Sequence, residues 1–201
     1  MNNKRIVFHG TQNKDFKNFT NIELGLGGDP NFVLGIFFAE NPHLAVDYSG
    51  NDGLVIVAAI ADSPSLIVDL EHHIFNDEII AQANLDYIEN GCEPFKGAPD
   101  FNGHSDDYRV FCHFARNHYI EQGIKTLQYA HIGDDEQMCV YLNANDAEIL
   151  CILTSDEAMK IGDKIYELQD CYDQKERFEL IKDHLSQYSK EKNNKKRSLF
   201  L

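Results

Sequence analysis

The chain has 201 residues, 43% apolar and 25% charged, a balance that argues against global disorder and gives one core room to form, without length for two large domains. Acidic residues outnumber Lys plus Arg by 33 to 18, for a formal net charge of -15. A surface that acidic repels phosphate backbones, so bulk nucleic-acid or membrane-surface binding is not expected as a main role, while a local basic patch can still hold a nucleotide. The longest purely apolar run, Leu54 to Ala61, is eight residues, far short of the ~20 that span a bilayer. No secretory signal is expected, because His9 interrupts the apolar run after Lys4-Arg5-Ile6-Val7-Phe8. The cysteines, at 92, 112, 139, 151 and 171, are odd in number and form no CxxC pair. Reduced thiols are expected, in a protein that is cytoplasmic or injected into a host cell.

In chain order, Arg5 to Phe8 reads as a first strand ending on His9-Gly10-Thr11. Residues 12 to 33 are polar and carry Gly25, Gly27, Gly28 and Pro30; they read as a long loop of the kind that often serves function. Phe32 to Phe38 is a second apolar stretch. Asn41 offers an N-cap and Pro42 a first helical position, so a short helix is expected to run to about Tyr48. Asp52-Gly53 marks a turn into Leu54–Ala61, whose uninterrupted apolar character predicts a strand buried on both faces. Leu66 to Val68 reads as a further short strand. Residues 74 to 90 are weakly helical, 91 to 103 read as loop, and 106 to 121 as a helix. That last helix gathers Tyr108, Phe111, Cys112, Ala115 and Tyr119 on one side and stops at Gly123.

Ile124 to Ala130, Met138 to Leu142 and Glu148 to Leu153 are three candidate strands, with Gly133-Asp134-Asp135 turning the chain between the first two. From Ser155, which offers a cap, the pattern turns helical through Ala158, Ile161 and Ile165, with Gly162 weakening its middle. Phe178, Ile181 and Leu185 mark another helix, and the basic last dozen residues are expected to fray. The sum is an α+β chain with antiparallel or mixed sheets.

Three segments resemble the ADP-ribosyltransferase fold family, in its His-Tyr-Glu branch (the diphtheria-toxin and poly(ADP-ribose) polymerase types). They are Val7-Phe8-His9-Gly10-Thr11, Gly35 through Tyr48, and Asp134-Asp135-Glu136 leading into Gln137-Met138-Cys139-Val140-Tyr141. The resemblance covers roughly residues 5 to 153. It implies a split β-sandwich of two antiparallel or mixed sheets with flanking helices, as a catalytic core over 1–153 with a helical insertion at about 72–121. Residues 154–201 would form a helical extension with a frayed tail. One position departs from the family pattern: Ala39 stands where Ser or Thr is usual.

The activity implied is transfer of ADP-ribose from NAD to an acceptor, with release of nicotinamide. Cleaving the nicotinamide–ribose bond develops positive charge on the ribose, as in glycoside cleavage, and a carboxylate beside the ring stabilises it. The resemblance gives that role to Glu136. It gives His9 a ribose hydroxyl to hold, the Gly10 backbone the nicotinamide amide, and Tyr48 the face of the nicotinamide ring. Thr11, Phe37 and Phe38 complete the NAD contacts, although strand alternation sends Phe37 and Phe38 to opposite faces, so one of the two belongs to the core. Glu148 competes with Glu136, since it too precedes an apolar stretch. Asp134 sits where the arginine-modifying branch has a second acid, but that branch carries Arg where this chain has His9.

No metal is expected. His72, His73, His104, Cys112, His113 and His118 show no zinc spacing. Gly25-Leu26-Gly27-Gly28 lacks the Lys-Ser/Thr of a phosphate loop and reads as a loop that closes over NAD. The acceptor is open, a protein being favoured over nucleic acid, and a toxin of this type would have a neutralising partner. Two other readings stand beside transfer: an inactive NAD, ADP-ribose or protein-binding module on the same fold, and an NAD glycohydrolase toxin.

Overall fold

The computed structural model describes residues 4–19, 31–61, 65–68, 74–95, 106–130, 137–168 and 173–198. The chain folds as two compact units that interleave in sequence. One comprises residues 1–15, 39–60 and 148–201, and the other 16–38 and 61–147.

The first unit holds β1 (Lys4–Thr11), α2 (Pro42–Ser49), β3 (Leu54–Ala61), β7 (Glu148–Thr154), α5 (Ser155–Tyr166) and α6 (Gln174–Ser198). Its strands lie in the order β1-β3-β7. β3 pairs antiparallel with β7 from Leu54↔Thr154 to Ala59↔Glu148, with a bulge beside Val57/Ala58. β3 is buried along its length except at its two ends, as its apolar run predicts. α2 packs on β1 and α5, α6 packs on β1 and α5, and α5 packs back on β7.

Thr154, not Ser155, caps α5. The run Thr154-Ser-Asp-Glu157 makes a capping box, in which Thr154 Oγ1 accepts from Glu157 N and Glu157 accepts from Thr154 N. Ser155 becomes the first helical residue and is buried. α6 runs from Gln174 to Ser198, through the segment expected to fray. No Gly or Pro interrupts it, and Lys and Arg at its carboxyl end suit the helix dipole.

The second unit holds α1 (Asn31–Leu34), β2 (Ile36–Ala39, its last residue belonging to the first unit), β4 (Ser65–Ile67), α3 (Asp77–Glu89), α4 (Asp106–Glu121), β5 (Thr126–Ala130) and β6 (Gln137–Tyr141). Strand order is β4-β5-β6-β2, with β4/β5 parallel and β5/β6 antiparallel. The apolar stretch from Phe32 thus divides into a helical turn and a strand, separated by Gly35. A side chain at Gly35 would meet the Tyr141 carbonyl oxygen at 2.5 Å and Val140 at 2.8 Å. α4 buries the stripe that its spacing announces, and Tyr108, Phe111, Cys112 and Ala115 are fully enclosed. Ile74, Ile79, Ala83, Leu127, Val140 and Leu142 close around that stripe, each large side chain contributing roughly 1.5–3 kcal/mol of burial. Among the described residues, no helix is long and apolar enough to cross a membrane.

Candidate active site

The carboxyl end of β1 and the last turn of α2 meet at Gly10. A Cβ there would overlap the Ala45 carbonyl oxygen and lie 2.8 Å from Ser49 N. Only glycine lets the helix lie this close. The meeting places His9, Gly10 and Thr11 beside the peptide that joins Tyr48 to Ser49. Asn41 sets the start of α2, its side chain accepting from His43 N at 2.9 Å, with Pro42 in the first turn. Gly50, at φ 67, ends the helix, and its N–H donates to Val46 O at 3.0 Å. His9 and Thr11 are half-buried, and alternation directs their side chains to the face of β1 opposite that of Gly10. Asn13 N donates to Thr11 Oγ1 at 3.2 Å, closing the turn after the strand. Tyr48 keeps 51% of its surface exposed. Partial burial, and then the neighbouring Asp47 carboxylate, raise its phenol above the ordinary value.

Two of the expected contacts change. Phe38 is 1% exposed and its ring meets Phe19 edge-to-face at 5.1 Å. It is therefore a core residue and has no face to offer a ligand. Phe37 is half-buried against the core of the second unit. Gly10 carries a demand beyond the one expected, since its missing side chain is needed by α2 itself.

Glu136, Asp134, Asp135 and the Gly25–Gly28 loop lie outside the described residues, and β6 begins at Gln137, directly after Glu136. Glu148 is described. It opens β7, is exposed, and accepts from Lys4 Nζ at 2.5 Å. That hydrogen bond and the Lys4 charge hold its carboxyl below the usual carboxylate range. Lys4 starts β1, and five steps along the strand, roughly 17 Å, separate it from His9. Glu148 is thus engaged at the opposite end of β1 from the His9-Gly10-Thr11 corner, which weighs against it as the partner carboxylate.

Three polar groupings carry no local sequence signal. Arg5, 6% exposed, donates to Glu40 at 2.7 Å, and Arg177 approaches the other oxygen of Glu40 at 3.6 Å. This triad borders a water-sized cavity with Ile6, Phe178 and Ile181, far too small for a dinucleotide. Ser49 and Ser155 share a hydrogen bond of 2.9 Å at the carboxyl end of α2. His43 lies over Gly162 of α5, where a Cβ would meet Nε2 at 2.8 Å, and it touches Asp163 and Met159 at 3.2 Å each.

The histidines of α4 are engaged in helix packing. Asn76 spends its Oδ1 on Ile79 N as the cap of α3, so its amide donates to His118 Nε2 at 3.2 Å. Gln122 meets the same nitrogen at 2.8 Å, and His113 pairs with Asn117 at 3.0 Å. Among the described residues, no three His, Cys, Asp or Glu side chains are grouped to hold a metal.

No family model matches the chain, and no curated protein matches it. Among solved structures it is similar to an anti-CRISPR protein at 14% identity and a TM-score of 0.37, over 72% of this chain and 94% of that one. A superposition that loose carries no argument about this chain's fold or activity.

Proposed function

We propose that the chain is an NAD-dependent ADP-ribosyltransferase, releasing nicotinamide and moving ADP-ribose to an acceptor, with protein favoured as the acceptor class. The observation that carries this reading is the ordered set of three segments, His9-Gly10-Thr11, Gly35 to Tyr48 and Glu136 to Tyr141. The packing at Gly10 supports it by bringing the backbone of the first segment to the carboxyl end of α2, the helix that carries Tyr48. In this reading Tyr48, half-exposed, stacks on the nicotinamide. His9 holds a ribose hydroxyl. Glu136 stabilises the ribose cation as the glycosidic bond lengthens.

The split β-sandwich, the toxin or effector setting and a neutralising partner belong to the same proposal. The test is transfer of label from adenine-labelled NAD to macromolecules of a cell lysate. Labelled protein supports transfer. Free ADP-ribose as the sole product would favour an NAD glycohydrolase instead. Ala39, 2% exposed and paired with Phe8, favours the binding-module reading to the extent that a hydroxyl is needed there. Tight NAD binding without turnover would mark that outcome.

A further inference from the structure

Ser49 and Ser155 are 1% and 4% exposed. Ser49 Oγ lies 2.8 Å from Val46 O, 3.2 Å from Gly50 O and 2.9 Å from Ser155 Oγ. Ser155 Oγ lies 2.9 Å from Gly50 O and 3.1 Å from Gly53 O. Two hydroxyls bring two protons to three carbonyls and to each other, so both protons stay inside the cluster. Two of these carbonyls also accept backbone N–H groups, Val46 O from Gly50 N at 3.0 Å and Gly50 O from Gly53 N at 3.4 Å, so the hydroxyls add to the bonds that close the last turn of α2 and the turn after it. The turn has no slack elsewhere. Gly50 sits at φ 67, and a side chain at Gly53 would collide with Ser49 O and come within 2.7 Å of Thr11 O. One serine thus fastens three segments at one point: the end of α2, the turn into β3 beside Thr11, and the start of α5.

We propose that the Ser49–Ser155 pair is the positioning element for Tyr48, fixing the last turn of α2 from which this half-exposed side chain projects. The catalytic consequence rests on the NAD reading above; the positioning itself does not. Ser155 has no sequence neighbour in the proposed site and acts on it only through Ser49 and the turn carbonyls.

The test uses the full chain with Ser155→Ala, Ser49→Ala and the double variant. Ser189→Ala on α6 is the control, since it removes a hydroxyl bonded only to Leu185 O within its own helix. The first readout needs no NAD: the Tyr48 ring signal and its titration by NMR of labelled tyrosine, with amide exchange at Gly50 and Gly53. The expected result for Ser155→Ala is a shifted ring signal, a phenol titrating closer to its ordinary value, and exchange roughly tenfold faster at those amides. Ser189→Ala should leave all three unchanged. The two alanine changes should also be non-additive, the double variant resembling either single.

The second readout is nicotinamide release, where Ser155→Ala should lower kcat severalfold, and adding Tyr48→Ala to it should cost less than Tyr48→Ala does alone. If Ser155→Ala does not fold, Ser155→Cys keeps a smaller perturbation with a weak donor, and an intermediate shift supports the proposal. A folded Ser155→Ala or Ser155→Cys with native Tyr48 signal and native exchange overturns it. Absence of nicotinamide release in the native protein overturns the NAD reading alone, because the NMR result stands without it.

Discussion

Gly10→Ala isolates the physical reason for the His-Gly-Thr corner. The new methyl would lie 2.8 Å from Ser49 N and 2.9 Å from the Ala45 carbonyl carbon, and closer still to the Ala45 oxygen. All three are backbone atoms of a helix held at both ends, by the Asn41 cap and by the serine cluster, so no side chain can swing aside. Restoring ordinary contact with the Ala45 oxygen, at about 3.4 Å, requires α2 to move by roughly 1.5 Å across β1. Overpacking of this kind typically costs 1–3 kcal/mol, and backbone-on-backbone contact puts it near ~3 kcal/mol. With a urea slope of about 2 kcal/mol per M, the midpoint should fall by roughly 1.5 M.

Gly91→Ala is the matched control. Gly91 has φ 78 with nothing within 4 Å of a new Cβ, so it carries only the left-handed strain of about 1 kcal/mol. Urea unfolding followed by far-UV circular dichroism measures both. A Gly10→Ala protein no less stable than Gly91→Ala would refute the packing argument, and would return Gly10 to a role in ligand contact alone. If the packing argument holds, lost activity in a Gly10 variant reports a displaced α2 and not a missing nicotinamide contact.

Three further outcomes follow from the same geometry. Glu40→Gln leaves Arg5 and Arg177 without the carboxylate they share, which should cost on the order of 3 kcal/mol and lower the Tm by roughly 6–12 °C in a scanning calorimeter. Lys4→Ala should destabilise slightly at neutral pH and not at all in acid. The folded Glu148 carboxyl is held low, so its contribution is present above the ordinary carboxylate range and is lost as pH falls through the lowered value. A Lys4→Ala defect that persists in acid, once the Glu148 carboxyl is protonated in native and variant alike, would contradict that sign. Gly162→Ala should gain the ~1 kcal/mol of helix propensity only when His43 is also alanine, because in the native chain the new methyl meets the imidazole. Thermal midpoints of the single and double variants measure that coupling.

What could be read from the sequence was whatever a local pattern encodes. Leu54–Ala61 was legible residue for residue because a fully buried strand has no polar interruption. The α4 stripe, the Asn41-Pro42 start and the Gly123 stop, at φ 77, are likewise set within a few residues. The misreadings lie where two local signals compete. Thr154 and Ser155 both suit a cap, and Glu157 three residues after Thr154 decides between them. Phe37 and Phe38 both suit a wall, and only the Phe19 ring shows which is core.

The remaining features depend on residues far apart in the chain. Gly10 answers to Ala45 and Ser49, Gly162 to His43, and Glu40 to Arg5 and Arg177. Ser49 and Ser155 are each ordinary in sequence and become a unit only when α5 returns to the end of α2. Of the candidate site, the His9-Gly10-Thr11 corner and Tyr48 are now placed in one unit, and Glu148 is placed at the far end of β1. The chemistry itself rests on the three-segment resemblance.

The most direct measurement is the rate of nicotinamide release from NAD, with and without cell lysate, for the native chain, Glu136→Gln and Glu148→Gln. We expect release by the native chain, a loss of about 100-fold or more in Glu136→Gln, and a rate within about twofold of native in Glu148→Gln, whose carboxylate is engaged by Lys4. No release by the native chain under either condition, or release indifferent to Glu136, would contradict the proposed activity.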